Sequence, residues 1–339
     1  MTRPLALASR LTLLAALTVA PLGARQVVAP KPRAVDSPVY SMVATLPSTV
    51  EGQDLRAFAF DPVSNRLYAG SDRGLFWSDL SEKKPTMKGP LFKKDILRIE
   101  VAPDLGRLFF FTYDEFGYVN LRGTSDPVRL GPRDWATDLV YEPTQHEIYV
   151  GTRSPKVRVF DARSGERRAD IDVPGFWGHD LEAIPGRVFL GVEGKSGLYV
   201  INAATHALAP WPVKGRIVTP VVIEADPSGK NLFVAYSQDI VAIDTATATV
   251  VGRVITSTPA AIAFDPGSHL LLATWDNVPP PNRVVAYRVD ETGLSEVARF
   301  GNPARGLVGL EPTSRGFIQA GVHSLLVWAF TGPVASGHP

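Results

Sequence analysis

One motif recurs seven times along the 339-residue chain: two or three apolar positions, an X-Pro pair, a polar turn and a second apolar run. The marker prolines of the seven copies are Pro62, Pro103, Pro143, Pro185, Pro227, Pro266 and Pro312. Their successive spacings are 41, 40, 42, 42, 39 and 46 residues. A period this regular predicts a repeat architecture, in which each copy is one small unit that packs against its neighbours.

Each copy predicts a set of antiparallel strands. In the first, "FAFDPVSNRLYAG", Phe58 and Phe60 alternate with smaller residues, which is typical of a strand with one buried face. Proline presets a turn, and the Asp or Glu before it can accept hydrogen bonds from turn amides, so Asp-Pro and Glu-Pro pairs are interpreted as turn markers. A third strand such as "VRVFD" (157–161) and a shorter fourth such as "TVVGRVI" (249–255) follow in most copies.

Four antiparallel strands in each period are typical of a β-propeller blade, and no helical periodicity follows the N-terminal segment. The sequence therefore predicts an all-β fold, a seven-bladed β-propeller of four-stranded antiparallel blades. The seventh copy ends after "SLLVWAF" without a fourth strand, whereas a spare strand, "VYSMVATLP" (39–47), precedes the first copy. An unpaired edge invites aggregation, so residues 39–46 are predicted to complete the last blade and close the ring.

The N-terminus has the pattern of a secretory signal peptide. Arg3 and Arg10 precede and flank an apolar stretch at 11–20, and "PLGA" supplies small residues for cleavage after Ala24. The apolar stretch is too short to span a bilayer as a helix. The predicted organisation is a signal peptide at 1–24, a Pro-rich linker at 25–37, the propeller at 38–330 and a flexible tail at 331–339. We expect a bacterial, periplasmic or extracellular monomer with no membrane span after cleavage.

Composition removes several classes of site. The chain has no cysteine, which excludes a disulfide framework, a thiolate metal site and a lipid-modified cysteine. Removing Arg3 and Arg10 with the signal peptide reduces 35 basic residues to 33 against 34 acidic ones, a net charge of −1. This balance gives no electrostatic reason to expect a nucleic-acid partner.

The stretch "DIVAIDTATATVVGRVITSTPAAIAFDP" (239–266) resembles the YVTN-type β-propeller repeat of secreted bacterial and archaeal proteins. "RLYAGS" (66–71), "EIYVGT" (147–152) and "NLFVAY" (231–236) resemble the strand that gives that repeat its name. The resemblance covers about residues 38–330 and implies a seven-bladed ring and an exported location. Propellers of this quinoprotein amine dehydrogenase-like and lactonase-like superfamily include lactonases, dehydrogenase subunits and surface-layer proteins, so the resemblance leaves the activity open.

The default ligand site of a propeller is one face, where the loops that lead into the first strands meet the loops between the second and third strands. We call it the channel-mouth face. Trp135 and Trp177 fall at equivalent positions of adjacent repeats and either stack on a ligand ring or plug the channel. Trp275, beside "DNVPPPN", either recognises a ligand or caps the sixth blade. The ligand-binding candidates are Asp54, Asp95, Trp135, Asp138, Trp177, Trp275 and Asp276.

"FWGHDLE" (176–182) is the stretch richest in chemically reactive side chains. His179, Asp180 and Glu182 could bind a metal or perform acid–base chemistry, although strand alternation places His179 on the opposite face from the two acids. The alternative is that the acids pair with Arg56, Arg98 or Arg305. The catalytic candidates are therefore His179, Asp180, Glu182 and Arg305, and the metal candidates are His179 and His323.

These features predict an exported binding or scaffold protein that holds a small-molecule ligand, a peptide or a partner protein at the channel-mouth face. Two alternatives remain: a lactonase-like hydrolase with acid–base or metal chemistry at the channel mouth, and a propeller subunit of a periplasmic redox complex. No cofactor is predicted, a bound metal ion stays an open alternative, and enzymatic activity is left undecided.

Overall fold

The computed structural model describes residues 40–47, 54–122, 126–174, 178–192, 197–214, 222–236, 238–257, 259–275, 283–290, 293–301, 307–313, 316–321 and 324–331. Within these ranges the chain forms 28 β-strands and no α-helix. The strands form seven four-stranded antiparallel sheets, so the predicted seven-bladed β-propeller is confirmed. No helix in the described part of the chain has the length and apolarity needed to cross a bilayer.

The first three blades follow one another along the chain, each running from the channel outwards in sequence order. Blade 1 contains β2 (Leu55–Asp61), β3 (Arg66–Ser71), β4 (Gly74–Asp79) and β5 (Lys88–Phe92). Blade 2 contains β6 (Arg98–Ala102), β7 (Arg107–Phe111), β8 (Glu115–Asn120) and β9 (Val128–Pro132). Blade 3 contains β10 (Ala136–Glu142), β11 (Glu147–Thr152), β12 (Lys156–Asp161) and β13 (Arg167–Asp172).

The next three blades repeat this order. Blade 4 contains β14 (Gly178–Ile184), β15 (Arg187–Val192), β16 (Leu198–Asn202) and β17 (Leu208–Trp211). Blade 5 contains β18 (Val222–Ala225), β19 (Asn231–Tyr236), β20 (Asp239–Asp244) and β21 (Thr249–Ile255). Blade 6 contains β22 (Ala261–Asp265), β23 (Leu270–Thr274), β24 (Arg283–Asp290) and β25 (Gly293–Gly301).

Blade 7 joins the two ends of the propeller. It contains β26 (Leu307–Thr313), β27 (Gly316–Gly321), β28 (Ser324–Phe330) and, as its outer strand, β1 (Tyr40–Pro47). β1 pairs with β28 in antiparallel register, from Tyr40 opposite Phe330 to Pro47 opposite Ser324. The predicted closure of the ring by the N-terminal strand is therefore confirmed.

Tyr40 ties this closing strand to blade 6 as well. Its hydroxyl donates to Asp265 Oδ2 at 2.6 Å and lies 2.6 Å from Ser268 Oγ, and its ring meets that of Phe317 edge-on at 5.1 Å. Tyr40 is 3% exposed. One side chain of β1 thus links two blades at the seam of the ring.

The hydrophobic core lies between neighbouring blades. Seven buried clusters each draw side chains from two adjacent blades, including the pair formed by blades 7 and 1. The second strands contribute an aromatic ring at equivalent positions in five blades, and each is at most 1% exposed: Tyr68, Phe109, Tyr149, Phe189 and Phe233. Burying each such ring contributes about 1.5–3 kcal/mol, so every blade depends on both neighbours for its core.

The acidic residues before the marker prolines mostly hold turns, as predicted. The Asp61 carboxylate accepts the Val63 N–H at 3.0 Å, and that of Asp265 accepts the Gly267 N–H at 2.9 Å. The prediction is wrong for Glu311. Thr313 pairs with Gly316 in β26 and β27, so this turn comes later and Pro312 lies inside the strand. Proline is tolerated there because the inner strand lies at the edge of its sheet. A proline at such an edge, which has no N–H, need not remove a ladder hydrogen bond.

We expect removal of β1 to open the ring. Deleting residues 25–47 exposes the edge of β28 and removes Tyr40 from its buried contacts, so the thermal midpoint should fall and light scattering should reveal concentration-dependent aggregation. Deleting only residues 25–37 is the matched control and should leave the midpoint unchanged. A monomeric 25–47 deletion with the parental midpoint would contradict the closure.

Candidate functional site

The inner strands of the blades enclose a central channel, and part of it forms a cavity of about 640 Å³. Each inner strand pairs on one side only, with the second strand of its own blade. Its other edge faces the channel and carries backbone N–H groups that need acceptors. The channel therefore requires acceptor side chains before any ligand is considered.

Four glutamates form one layer in this channel. Glu100, Glu182 and Glu224 pair with the aromatic positions Phe109, Phe189 and Phe233 of the second strands, which places them at one level. Glu311 pairs with Ile318 at the equivalent position of blade 7. Successive side chains of a strand point to opposite sides, so residues at equivalent positions of the inner strands point the same way. All four glutamates line the channel cavity.

Three of the glutamates connect their own blade to the next one. Glu100 Oε1 accepts the Tyr141 N–H at 3.1 Å, and Glu224 Oε1 accepts the Phe264 N–H at 3.1 Å. Across the seam of the ring, Glu311 Oε1 accepts the Phe60 N–H at 3.3 Å. Each bond supplies an acceptor to the open edge of the neighbouring inner strand. The layer thus stabilises the ring as well as making the channel acidic.

The crowding of carboxyl groups changes their titration. Burial, opposed by the hydrogen bond from the next blade, raises the pKa of Glu100 and of Glu224 to about 8. Burial and the negative charge of Glu224 raise the pKa of Glu311 to about 8. Burial and the charges of Glu224 and Glu100 raise the pKa of Glu182 well above its usual range. Burial disfavours the charged form and like charges add to this, so the layer holds protons near neutral pH.

A second layer lies two residues nearer the channel mouth. Arg98 Nε is 3.6 Å from Asp138 Oδ1, and Asp138 Oδ2 accepts the Leu181 N–H of the next blade at 2.9 Å. The Asp180 carboxylate accepts the Ile223 N–H in the same way. Burial, followed by the charge of Asp138, raises the pKa of Asp180 well above its usual range. A protonated Asp180 can donate a proton, which is the acid–base step that this layer supports.

The structure distributes the remaining candidates around the face. Asp95 Oδ1 forms an ion pair with Arg56 Nη1 at 2.7 Å, so Arg56 pairs with this aspartate and Arg98 with Asp138. Asp54 is exposed. Trp275 is 6% exposed, belongs to the cluster between blades 5 and 6, and donates its Nε1–H to the Ser257 carbonyl oxygen at 2.7 Å. Trp275 therefore has the position of a cap and does not present its ring to solvent.

Several candidates lie outside the described residues. β14 begins with a bulge, since Gly178 pairs with Val192 and Asp180 with Gly191. His179 lies in this bulge, but its side chain is not among those described. Four predicted site residues lie wholly outside the described ranges: Trp177, Asp276, Arg305 and His323. Among described side chains, no group of three His, Cys, Asp or Glu has a geometry that could hold a metal ion. Metal binding at His179 and His323 stays a prediction.

Among the described residues, two aromatic rings are exposed on the channel-mouth face. Trp135 is 69% exposed and Tyr113 is 60% exposed, so Trp135 does not plug the channel. Trp135 has a φ of 61° and Asp134 a φ of 49°, in the left-handed region that bulky side chains rarely adopt. The exposed tryptophan therefore sits on a strained turn.

Neighbouring loops hold this turn in place. The Arg133 N–H donates to the Asp114 carbonyl oxygen at 3.1 Å, and the Ala136 N–H closes the turn on the Arg133 carbonyl oxygen at 3.0 Å. The Arg153 N–H donates to the Trp135 carbonyl oxygen at 3.0 Å. The Trp135 backbone is thus fixed from blades 2 and 3 before any ligand arrives.

Sequence reasoning missed part of this site. Glu100, Glu182 and Glu224 each stand three residues before a marker proline, so the repeat alignment carried the signal for three of the four glutamates. Glu311 gave no such signal because its turn is displaced. Tyr113 and Arg133 lie in loops of ordinary length, so nothing in the repeat pattern marks them. Only the folded structure shows that they come together.

Comparisons with known proteins show the fold and leave the family open. No protein-family model matches the chain, and no curated protein matches its sequence. A chain from the mitotic checkpoint complex is similar in structure, with a TM-score of 0.68 and 12% identity over 95% of this chain and 99% of that one. The WD40 β-propeller domain of Doa1 has a TM-score of 0.65 and 14% identity over 86% and 97%. The resemblance to YVTN-type repeats stays a prediction.

The raised pKa values predict a stability that falls with rising pH. Between pH 4.5, the ordinary pKa of a glutamate, and about 8, the native state keeps protons that the unfolded chain has released. The free energy of unfolding should therefore be largest below this window and decrease as pH rises through it. Urea denaturation at pH 5 and pH 8 measures the difference.

Glu311→Gln keeps the acceptor for the Phe60 N–H but cannot ionise. We expect this variant to match the parent at pH 5 and to exceed its stability at pH 8 by roughly 1–2 kcal/mol. Glu166→Gln, at an exposed turn position, is the control and should change neither value. A Glu311→Gln protein less stable than the parent at pH 8 would refute the protonated layer.

Proposed function

We propose that this protein is an exported binding propeller that holds a peptide or a protein partner at the channel-mouth face. The observation that carries the proposal is Trp135, a large aromatic side chain that is 69% exposed on a turn of positive φ. Strain of this kind is unfavourable for folding and clusters at binding and catalytic sites. An exposed, rigid aromatic ring is the type of residue that dominates binding energy in protein interfaces.

The contrast between the channel and its rim supports a binding role. In the channel, five carboxylates accept backbone N–H groups of the next blade, which accounts for acidic residues at these positions without a substrate: Glu100, Glu224, Glu311, Asp138 and Asp180. At the rim, Tyr113 and Trp135 present their rings to solvent. This division favours binding over the hydrolytic alternative.

Export is the second part of the proposal, and it rests on the N-terminal pattern of Arg3 and Arg10 around the apolar stretch at 11–20. A ring that gains its core from seven blade interfaces needs no disulfide, which suits an exported chain without cysteine. The structural neighbour from the mitotic checkpoint complex is, by its name, part of a complex, which fits a partner-binding role.

We expect export with cleavage after Ala24. When the full chain is expressed in a bacterium and the envelope fraction is analysed by intact mass, the product should begin at Arg25. Charging the apolar stretch with Leu13→Arg and Leu14→Arg should retain the uncleaved precursor in the cytoplasm. Recovery of the parental chain as an uncleaved cytoplasmic product would contradict export.

The binding role predicts that Trp135 is retained for contact and not for stability. Asparagine tolerates the left-handed conformation, so Trp135→Asn should keep the thermal midpoint or raise the stability by up to about 1 kcal/mol. Peptides selected by phage display on the parental protein should lose at least about tenfold in affinity for Trp135→Asn and for Tyr113→Ala.

The matched control is Val63→Asn, because Val63 is 66% exposed in the turn between β2 and β3, at the opposite end of the inner strand from the channel mouth. Selected peptides should bind this variant as they bind the parent. Selected peptides that bind Trp135→Asn and Tyr113→Ala with parental affinity would place the binding surface elsewhere and refute the proposal.

A further inference from the structure

Three arginines surround the exposed rings at the rim. Arg56 Nη1 lies 3.3 Å from the Tyr113 hydroxyl, Arg133 lies 5.8 Å from the Tyr113 ring centroid, and Arg153 lies 5.5 Å from that of Trp135. We call Arg56, Tyr113, Arg133, Trp135 and Arg153 the rim patch. It spans blades 1 to 3 and combines flat apolar area with positive charge.

Arg133 is the cation at the centre of this patch. Its Nε and Nη2 donate to the Ala136 carbonyl oxygen at 3.2 and 3.1 Å, and its guanidinium also lies 5.2 Å from the Phe111 ring. An arginine carries five N–H donors, so this arrangement leaves donors for a further acceptor. Among the described residues, no carboxylate forms an ion pair with Arg133.

The charge of Arg153 acts directly on Arg133. Burial, followed by the positive charge of Arg153, lowers the pKa of Arg133, as expected for two like charges on one surface. The partly buried Arg133 charge and the nearby exposed Arg153 charge repel, and an anion bound at Arg133 offsets both the burial and the repulsion. The patch is therefore electrostatically suited to a negatively charged ligand.

Three acidic residues near the patch already form ion pairs. Asp95 pairs with Arg56 at 2.7 Å, Asp134 pairs with Arg158 at 2.5 Å, and Glu115 pairs with Lys94. Their charges remain on the face and flank the arginines. A long uniform polyanion lying across this face would meet these carboxylates, whereas a single carboxylate at Arg133 would not. The charge pattern thus favours isolated acidic groups over a phosphate backbone.

Resting on the proposed binding function, we infer that the rim patch takes an acidic segment of a protein partner. A carboxylate of the segment accepts hydrogen bonds from Arg133 beside Arg153, and an adjacent apolar side chain packs on the Trp135 ring. The arginine supplies the planar donor geometry that carboxylates prefer, and the tryptophan supplies apolar contact next to it.

A pair of synthetic peptides tests this assignment. The probe is a short fluorescein-labelled peptide of alternating glutamate, glycine and phenylalanine, and its twin carries glutamine in place of every glutamate. Fluorescence anisotropy should show the acidic peptide binding at least about tenfold more tightly than the twin, because charge-assisted hydrogen bonds are lost in the twin. Its affinity should also fall as salt is raised.

Variants locate the interaction. Arg133→Gln and Arg153→Gln should each weaken the acidic peptide about tenfold and leave the twin unchanged, with circular dichroism confirming the fold. Arg153 is exposed, so its variant remains informative if Arg133→Gln folds poorly. Arg288→Gln, at an exposed position of β24 in blade 6, is the matched control and should bind as the parent does.

The outcomes separate this inference from the proposed function. Equal binding of the two peptides, or full binding by both rim variants, would overturn the acidic ligand class, while a phage selection that still depends on Trp135 would leave the binding function standing. A competition with a single-stranded DNA oligonucleotide tests the other ligand class. The acidic-segment inference would be overturned in favour of nucleic acid if the DNA displaced the labelled peptide at a lower phosphate concentration than the carboxylate concentration that unlabelled acidic peptide requires.

Discussion

The structure depends on the antiparallel pairing of β1 with β28. Without it, β28 presents an open edge and the seventh blade has three strands. Every hydrophobic cluster lies between two blades, so an open ring would leave two blades with one neighbour each. The Tyr40 hydroxyl bond to Asp265 extends the closure into blade 6. Stability is therefore a property of the whole ring and not of single blades.

The same closed ring creates the chemistry of the channel. Seven inner strands face one axis with one edge unpaired, and carboxylates of one blade accept N–H groups of the next. Closing the ring brings these acids together, so their pKa values rise. The acidic cluster has the composition of an active site, but its carboxyl groups are explained by the hydrogen bonds they accept between blades. Perturbed titration alone does not mark catalysis here.

The rim differs because its side chains are not needed by the ring. Trp135 projects from a strained turn that backbone bonds to two neighbouring loops hold in place. Its strain is offset by those bonds and by the rigid blades beneath. Tyr113 and Arg133 reach the same patch from blade 2. A rigid ring that carries variable loops can thus present a binding surface without any change to its core.

The sequence by itself determined the number of blades, the strand order and the strand that closes the ring, because these follow from local alternation and a fixed period. It also placed Asp138, Asp180 and Glu182 at the channel. It could not show that Glu311 joins Glu100 in one layer or that Trp275 is buried while Trp135 is exposed. Nor could it show that the charge of Arg153 acts on Arg133. Only the tertiary structure decided these points, since they depend on distances between residues of different blades, which no local pattern encodes.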